Sequence, residues 1–390
     1  MFSRRTHWPL ALNRLSQVLE KRRGLPIIDL TESNPTRCGF VYESDRIRRA
    51  LTSAASLSYR PDPWGPQEAR EAVATYYRER GVSLDPRQIF ITGSTSEAYS
   101  YVFRLLADAG DQVLAPQPSY PLFDFLAQLD DITIRPYPLA YGDGWQIDRL
   151  ALQERIRPES RAMLLVNPNN PTGSYVSSDD RAFVVELCRQ LDLALVADEV
   201  FFDYLLESPD GGRAQSLAGE TTALTFTLSG LSKISALPQM KLAWIAVNGP
   251  AELRDTAIDR LEVIADTYLS VSAPLGLALP ELLDTRFSIQ PQIQKRTQTN
   301  LMRLDTLLSV RSPVSRLNAE GGWSAVLRVP GVCSDEDWAI TLLERDNVLI
   351  HPGHFYDFPG GGYLVVSLLT KPENFEEGVR RLLTRIQNHA

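Results

Sequence analysis

Arg161-Ala162-Met163-Leu164-Leu165-Val166-Asn167-Pro168-Asn169-Asn170-Pro171-Thr172-Gly173 runs from five apolar residues straight into two prolines, three asparagines and a glycine. The apolar run has the length of a buried strand. The prolines and glycine end it in an abrupt, rigid turn and bring asparagine amides to the strand's carboxyl end. A plain turn rarely needs seven such residues in a row, so the stretch is specific. Similar strand patterns recur on both sides, at 88–92, 112–115, 133–136, 162–166, 193–197, 223–228 and 244–247. Helical patterns at 94–109, 178–191 and 255–269 lie between or after them. Strands alternating with helices build crossover units, which predicts an α/β fold: a large domain with a mostly parallel, seven-stranded sheet flanked by helices. Ligands of such sheets sit beyond the carboxyl ends of the strands.

A helical pattern at 286–308 follows, then strand patterns at 321–329 and 363–369 and helical ones at 335–345 and 374–387. These predict a smaller α+β domain. The expected division is residues 1–45 as an N-terminal segment packing with the small domain, 46–284 as the large domain and 285–390 as the small one. Residues 1–45 are irregular apart from a helix near 12–22.

The formal charge of −8 argues against nucleic acid as a partner, because neutralising phosphates needs a basic face. No apolar run of membrane-spanning or signal-peptide length occurs, so neither a membrane partner nor export is expected. Three scattered cysteines (Cys38, Cys188, Cys333) suit a reducing, cytoplasmic compartment. With four histidines, no HExxH and no cysteine–histidine ligand pattern, neither a Ser–His triad nor a metal site is expected, and the chemistry falls to a lysine or a cofactor.

Several strand ends carry suitable groups. Thr92-Gly93-Ser94-Thr95-Ser96-Glu97-Ala98 leads a strand into a helix, where free N–H groups seat phosphate; alone, plain N-capping explains it better. Tyr120, in Pro118-Ser119-Tyr120-Pro121, could stack on a planar ligand or simply pack in a turn. Asp198, at the end of the strand near 193–197, could hold a ring nitrogen protonated or cap the next element. Lys233, in Ser229-Gly230-Leu231-Ser232-Lys233, could form a Schiff base, and Lys241 adds a cation eight residues on. The bland alternative is two solvated lysines. No GxGxxG or GxxxxGK[ST] is present, which removes the usual support for nucleotide binding.

In this order and spacing the segments resemble the class I/II aminotransferases, pyridoxal 5'-phosphate (PLP) enzymes of fold type I, over about residues 29–369. The resemblance implies PLP held as a Schiff base on Lys233, which would also move the proton during transfer of an amino group between an amino acid and a keto acid. It implies Asp198 on the pyridine nitrogen, Asn170 on the phenolic oxygen, Tyr120 stacked on the ring, and Ser94, Thr95, Ser96 and Lys241 on the phosphate. Tyr59 resembles a tyrosine that reaches the partner's phosphate, so a homodimer is implied.

Three positions depart from the family pattern. Val365, in Tyr363-Leu364-Val365-Val366-Ser367, stands where an arginine usually clamps the substrate carboxylate, and valine makes no bidentate bond. Phe201 replaces the tyrosine that helps Asn170 hold the phenolic oxygen, which should raise the Schiff-base pKa. Ser33, in Thr31-Glu32-Ser33-Asn34-Pro35-Thr36-Arg37, replaces a glycine of the substrate segment. Arg37 is then a candidate to hold a carboxylate, weighed against an ordinary surface arginine. Without the clamp, a β-eliminating lyase of the C–S lyase type is the main alternative. A non-catalytic PLP-binding sensor has less support.

Overall fold

The computed structural model describes residues 1–206, 215–269, 271–308 and 312–389. A large sheet is formed by β1 (Ile89–Thr92), β2 (Gln112–Gln117), β3 (Thr133–Tyr141), β4 (Trp145–Ile147), β5 (Ser160–Val166), β6 (Ala194–Asp198), β7 (Thr225–Gly230) and β8 (Ala243–Asn248). Their spatial order is β1-β8-β7-β6-β5-β2-β3-β4. The five strands β3, β2, β5, β6 and β7 are mutually parallel, β8 runs antiparallel to both of its neighbours, and β4 folds back on β3. All seven expected strands are present. The eighth, β4, is three residues long and extends the edge by a hairpin.

The central strands are apolar because both of their faces are covered. Along β5, Ala162, Leu164 and Val166 enter a core that includes Ala98, Val102 and Phe103 of helix Thr95–Leu106. The intervening Met163 and Leu165 face Val184, Val185 and Leu187 of helix Ser178–Gln190. This period of two is the strand's own alternation. A third cluster packs Val73 and Tyr77 of helix Gln67–Arg78 and Leu279 and Leu282 of helix Ala273–Asp284 against Ile91 and Trp244.

A second, antiparallel sheet has the order β9 (Ser315–Arg316), β10 (Ser324–Arg328), β12 (Tyr363–Ser367) and β11 (His351–Pro352). Ala325, Leu327, Leu364 and Val366 turn to one face and meet Trp338 and Leu342 of helix Asp335–Asp346 and Phe375 and Leu382 of helix Pro372–Gln387. Val326 and Val365 turn to the other face. Near the N-terminus, Ile28–Asp29 pairs in parallel with Val348–Leu349, and Arg14 of helix Arg14–Lys21 forms ion pairs with Glu336 and Asp337.

The two sheets meet at the Asn167–Gly173 turn. The Gly173 carbonyl accepts the N–H groups of Glu320 (3.1 Å) and Gly321 (2.8 Å), and the Glu320 carboxylate accepts the Tyr175 N–H at 2.8 Å. Gly173 has φ +73°, and a Cβ there would lie 2.6 Å from the Gly321 carbonyl oxygen. The left-handed backbone alone costs a non-glycine residue about 1–2 kcal/mol, and the clash adds to it. Gly173→Ala is therefore expected to lower the thermal unfolding midpoint by several degrees with native far-UV circular dichroism; an unchanged midpoint would show that this junction has room to spare.

Candidate active site

β2 and β5 are parallel neighbours from which the later strands are added in opposite directions, β3 and β4 on one side and β6 and β7 on the other, and the turns after these two strands form one unit. The Ser119 hydroxyl donates to Asn169 Oδ1 at 3.2 Å, and Asn169 Nδ2 donates to the Pro118 carbonyl at 3.0 Å and to Thr172 Oγ1 at 2.9 Å. The peptide bonds before Pro118, Pro168 and Pro171 are cis. Asn169 is thus buried and committed to holding the turns together. Its neighbour Asn170 makes no side-chain hydrogen bond within the described residues and lines a narrow cleft with Phe201, Gly322 and Trp323. A crevice where the strand order reverses in this way is the usual ligand position of open α/β sheets.

β5, β6 and β7 end in step: Val166 pairs with Asp198, and Asp198 with Leu228. The ladder continues past the strands, because the Asn167 N–H donates to the Asp198 carbonyl and the Glu199 N–H to the Leu228 carbonyl, each at 2.8 Å. Asp198 is buried. Its carboxylate accepts the Tyr99 hydroxyl at 2.9 Å and the Val200 N–H at 3.1 Å. Burial raises its pKa, while those two donors and the charge of Lys233 pull it back.

Lys233 belongs to a single helical turn, Leu231–Ile234, that begins where β7 stops. Gly230 is needed just before it, since a Cβ there would lie 2.8 Å from Ala243 Cα. The Lys233 amine lies 5.0 Å from the centroid of the Trp323 ring and 5.2 Å from that of Phe201. Burial pushes its pKa down to about 8, and Asp198 opposes the shift. No direct ion pair joins the two, so a carboxylate and an amine face one crevice across a gap.

Ser94, Thr95 and Ser96 open helix Thr95–Leu106. The Ser94 hydroxyl accepts the Glu97 N–H at 3.1 Å, and Glu97 Oε2 accepts the Gly93 N–H at 2.6 Å. Those two N–H groups are taken, whereas the Thr95 and Ser96 N–H groups have no backbone partner outside the helix. Lys241 is exposed with a left-handed backbone, and its carbonyl lies 4.0 Å from where a Gly93 Cβ would stand. Tyr120 is 45% exposed, and the charge of Asp198 adds to burial in raising its pKa.

The remaining candidates are more dispersed. Tyr59 is 80% exposed, beside an open cavity of about 510 Å³ lined also by Arg60, Pro66, Leu269 and Val271. Ser33 and Arg37 are on the surface, and the Arg37 side chain, 74% exposed, pairs with Glu32 at 3.3 Å. Val365 is 2% exposed and packed with Leu317, Val326 and Phe358.

The sequence profile described as "Aminotransferase class I and II" matches residues 27–382. The chain belongs to that family. It is 27% identical over 368 residues to the alanine aminotransferase of Mycobacterium tuberculosis, covering 92% of this chain and 85% of that protein. It is 24% identical over 363 residues to the glutamate-pyruvate aminotransferase AlaA of Escherichia coli, covering 91% and 89%. Among solved structures, the alanine aminotransferase from Pyrococcus furiosus superposes with a TM-score of 0.84 at 22% identity, covering 96% and 95%. A Thermus thermophilus aspartate aminotransferase mutant superposes with 0.84 at 21%, covering 98% and 99%. The fold is the fold-type I aminotransferase fold.

Three groups in this aminotransferase's crevice escape a reading of the sequence. Tyr99 is the side-chain donor to Asp198, from a buried position on a helix ninety-nine residues earlier in the chain. Trp323 lies beside Lys233 although ninety residues separate them in the chain. Asn167 carries a buried Nδ2 without a partner among the described residues. In the ligand-free enzyme the depressed Lys233 pKa has a direct consequence, because only the neutral amine attacks a carbonyl. Trapping of an added aldehyde on Lys233 by borohydride, read by peptide mass, should fall about tenfold per pH unit below about 8 and level off above it. Asp198→Asn removes a charge that favours the ammonium form, so its curve should shift to lower pH; a shift upward would contradict the coupling.

Proposed function

We propose that the enzyme is a PLP-dependent aminotransferase acting between an amino acid or related amine and a keto acid, with PLP carried on Lys233. The observation that carries this is the buried pair, Lys233 and Asp198, facing one crevice without touching. The surrounding groups suit the cofactor's parts: Asp198 for a pyridinium N–H, Asn170 for the phenolic oxygen, Tyr120 for a ring face, and the Ser94–Ser96 turn with Lys241 for phosphate. Buried, and already given two donors by Tyr99 and Val200, Asp198 is held in one orientation for a third. PLP bound there supplies an electron sink for the Cα–H bond electrons of an amine substrate.

The chain's own residues then divide the work. With PLP held there, the Lys233 amine, of lowered pKa, would be the base for the Cα proton and would return it to the carbon on the far side of the substrate nitrogen. Trp323 and Phe201 beside it exclude water from that transfer. The proposed division keeps residues 46–284 as the cofactor-bearing domain and 285–390, with 1–45, as the domain closing over it. Tyr59 exposed beside an open cavity supports a homodimer in which it serves the partner's phosphate.

Lys233→Ala is expected to lose the visible cofactor band and at least a thousandfold in kcat/KM. With active wild type, conversion to the aminated cofactor supports transfer, whereas pyruvate and ammonia from a cysteine-type substrate would replace it by β-elimination. Arg37, exposed and paired with Glu32, should contribute little: Arg37→Ala is expected within about twofold of wild type, an exposed pair being worth about 0–1 kcal/mol. A tenfold rise in KM for an amino acid would instead make it the carboxylate's partner.

A further inference from the structure

The position where the family resemblance expects a carboxylate clamp is packed with apolar side chains. Val365 is sealed by Leu317, Val326 and Phe358, with Trp145, Tyr356 and Tyr363 packed around them. Two arginines act on Cys38 of the cluster that also holds Phe201 and Trp323, and both have partners. Arg37 pairs with Glu32, and Arg296 donates to the carbonyls of Cys38 (3.3 Å) and Leu369 (3.1 Å) while lying over the Phe40 ring. What the cleft beside Lys233 does offer is neutral donors, the Asn170 amide and the Trp323 indole. Trp323 is 3% exposed, its indole N–H has no partner, its ring is 5.0 Å from the Lys233 amine, and it lines the Asn170 cleft.

A buried donor without an acceptor is costly to the protein alone and is relieved by a ligand that supplies one. A carboxylate brought there would lose its hydration and gain one neutral hydrogen bond, with no counter-charge to repay the rest. A carboxamide or ester carbonyl loses far less hydration and accepts the same bond. We infer that the site selects primary amines whose Cα bears an uncharged carbonyl acceptor, such as an α-amino amide, held by the Trp323 indole N–H in place of a carboxylate clamp. This rests on the reading of Lys233 as the cofactor lysine. The reaction is unchanged: the substrate nitrogen passes to the cofactor, Cα gives up its proton and bonding electrons, and water supplies the oxygen of the α-keto amide product.

The test uses the wild-type holoenzyme and matched pairs, a free amino acid against its carboxamide, for small, aromatic and acidic side chains. The readout is the rate at which the visible cofactor band converts. The carboxamide is expected to lead by at least tenfold in kcat/KM in the best-accepted series. Trp323→Phe, which keeps an aromatic ring in place, should raise KM for the carboxamide with a smaller change in kcat. It should also collapse the ratio of carboxamide to the plain amine lacking a carbonyl by about tenfold. A preference for free acids, or no response to any carboxamide, overturns the inference. The Lys233 reading fails separately, and is recognised by a wild type without a lysine-dependent cofactor band.

Discussion

A carboxylate and an amine are buried at the ends of neighbouring parallel strands, and much of the architecture serves to keep them there. Neither charge is welcome in the interior: burial raises the pKa of Asp198 and lowers that of Lys233. The parallel sheet makes the arrangement tolerable. Its strands end in register, so a turn after each delivers one polar group to the same level. The backbone ladder runs on through Asn167 and Glu199 and fixes the carboxylate's own main chain. Tyr99 and Val200 then satisfy the carboxylate while leaving room for a further donor. A direct ion pair between Asp198 and Lys233 would relieve both charges but would fill the space a ligand needs.

The second sheet is tied to the first through backbone atoms. Gly173 accepts from Glu320 and Gly321, and the Leu205–Gly321 bridge lies alongside. Both glycines stand where side chains cannot: a Cβ on Gly321 would come 2.7 Å from the Tyr175 ring. This close approach brings Trp323, two residues on, against Phe201 and Tyr204, while Tyr204 donates to the Lys233 carbonyl at 2.6 Å. The lysine is therefore positioned from both sides, by β7 through its chain and by the small sheet through its surroundings. The long helix Arg286–Leu307 spans the same boundary, with Ile289 and Ile293 in the Trp323 cluster and Leu301 and Leu304 in the core of the small sheet.

What could be read from the sequence was whatever short-range pattern determines. The seven strands were legible as apolar runs ended by proline, glycine or polar residues. The NPNNPTG turn, Asp198 and Lys233 were legible because each directly follows such a run. β4 was missed because three residues at a sheet edge carry no periodic signal. Helix Ala273–Asp284 was obscured by Pro280 within it and by its nearly uniform apolar character. Asn169 and Asn170 look alike in sequence, and only the packing of Ser119 and Pro118 commits the first to structure. Trp323 was invisible as a site residue, since its place depends on how two sheets meet.

Two of the three departures from the family pattern, Phe201 and Val365, are packed among apolar side chains in separate clusters. Phe201 replaces a hydroxyl donor and stacks edge-on against Trp323 at 5.2 Å. Val365 replaces a guanidinium, and its surroundings are apolar in kind: Leu317, Val326 and Phe358 beside it, with Phe358 stacked on Tyr363 at 4.7 Å. An arginine lost by itself would leave a polar socket, with acceptors arranged to hold the guanidinium. The cluster around Val365 is instead a packed interior, and an arginine placed there would need new partners as well as space. The change therefore involves the surroundings of Val365 as well as the residue itself. Lys233 lies against Phe201 and Trp323, whereas Val365 belongs to another cluster, so the burial that lowers the lysine's pKa does not depend on the residue at 365.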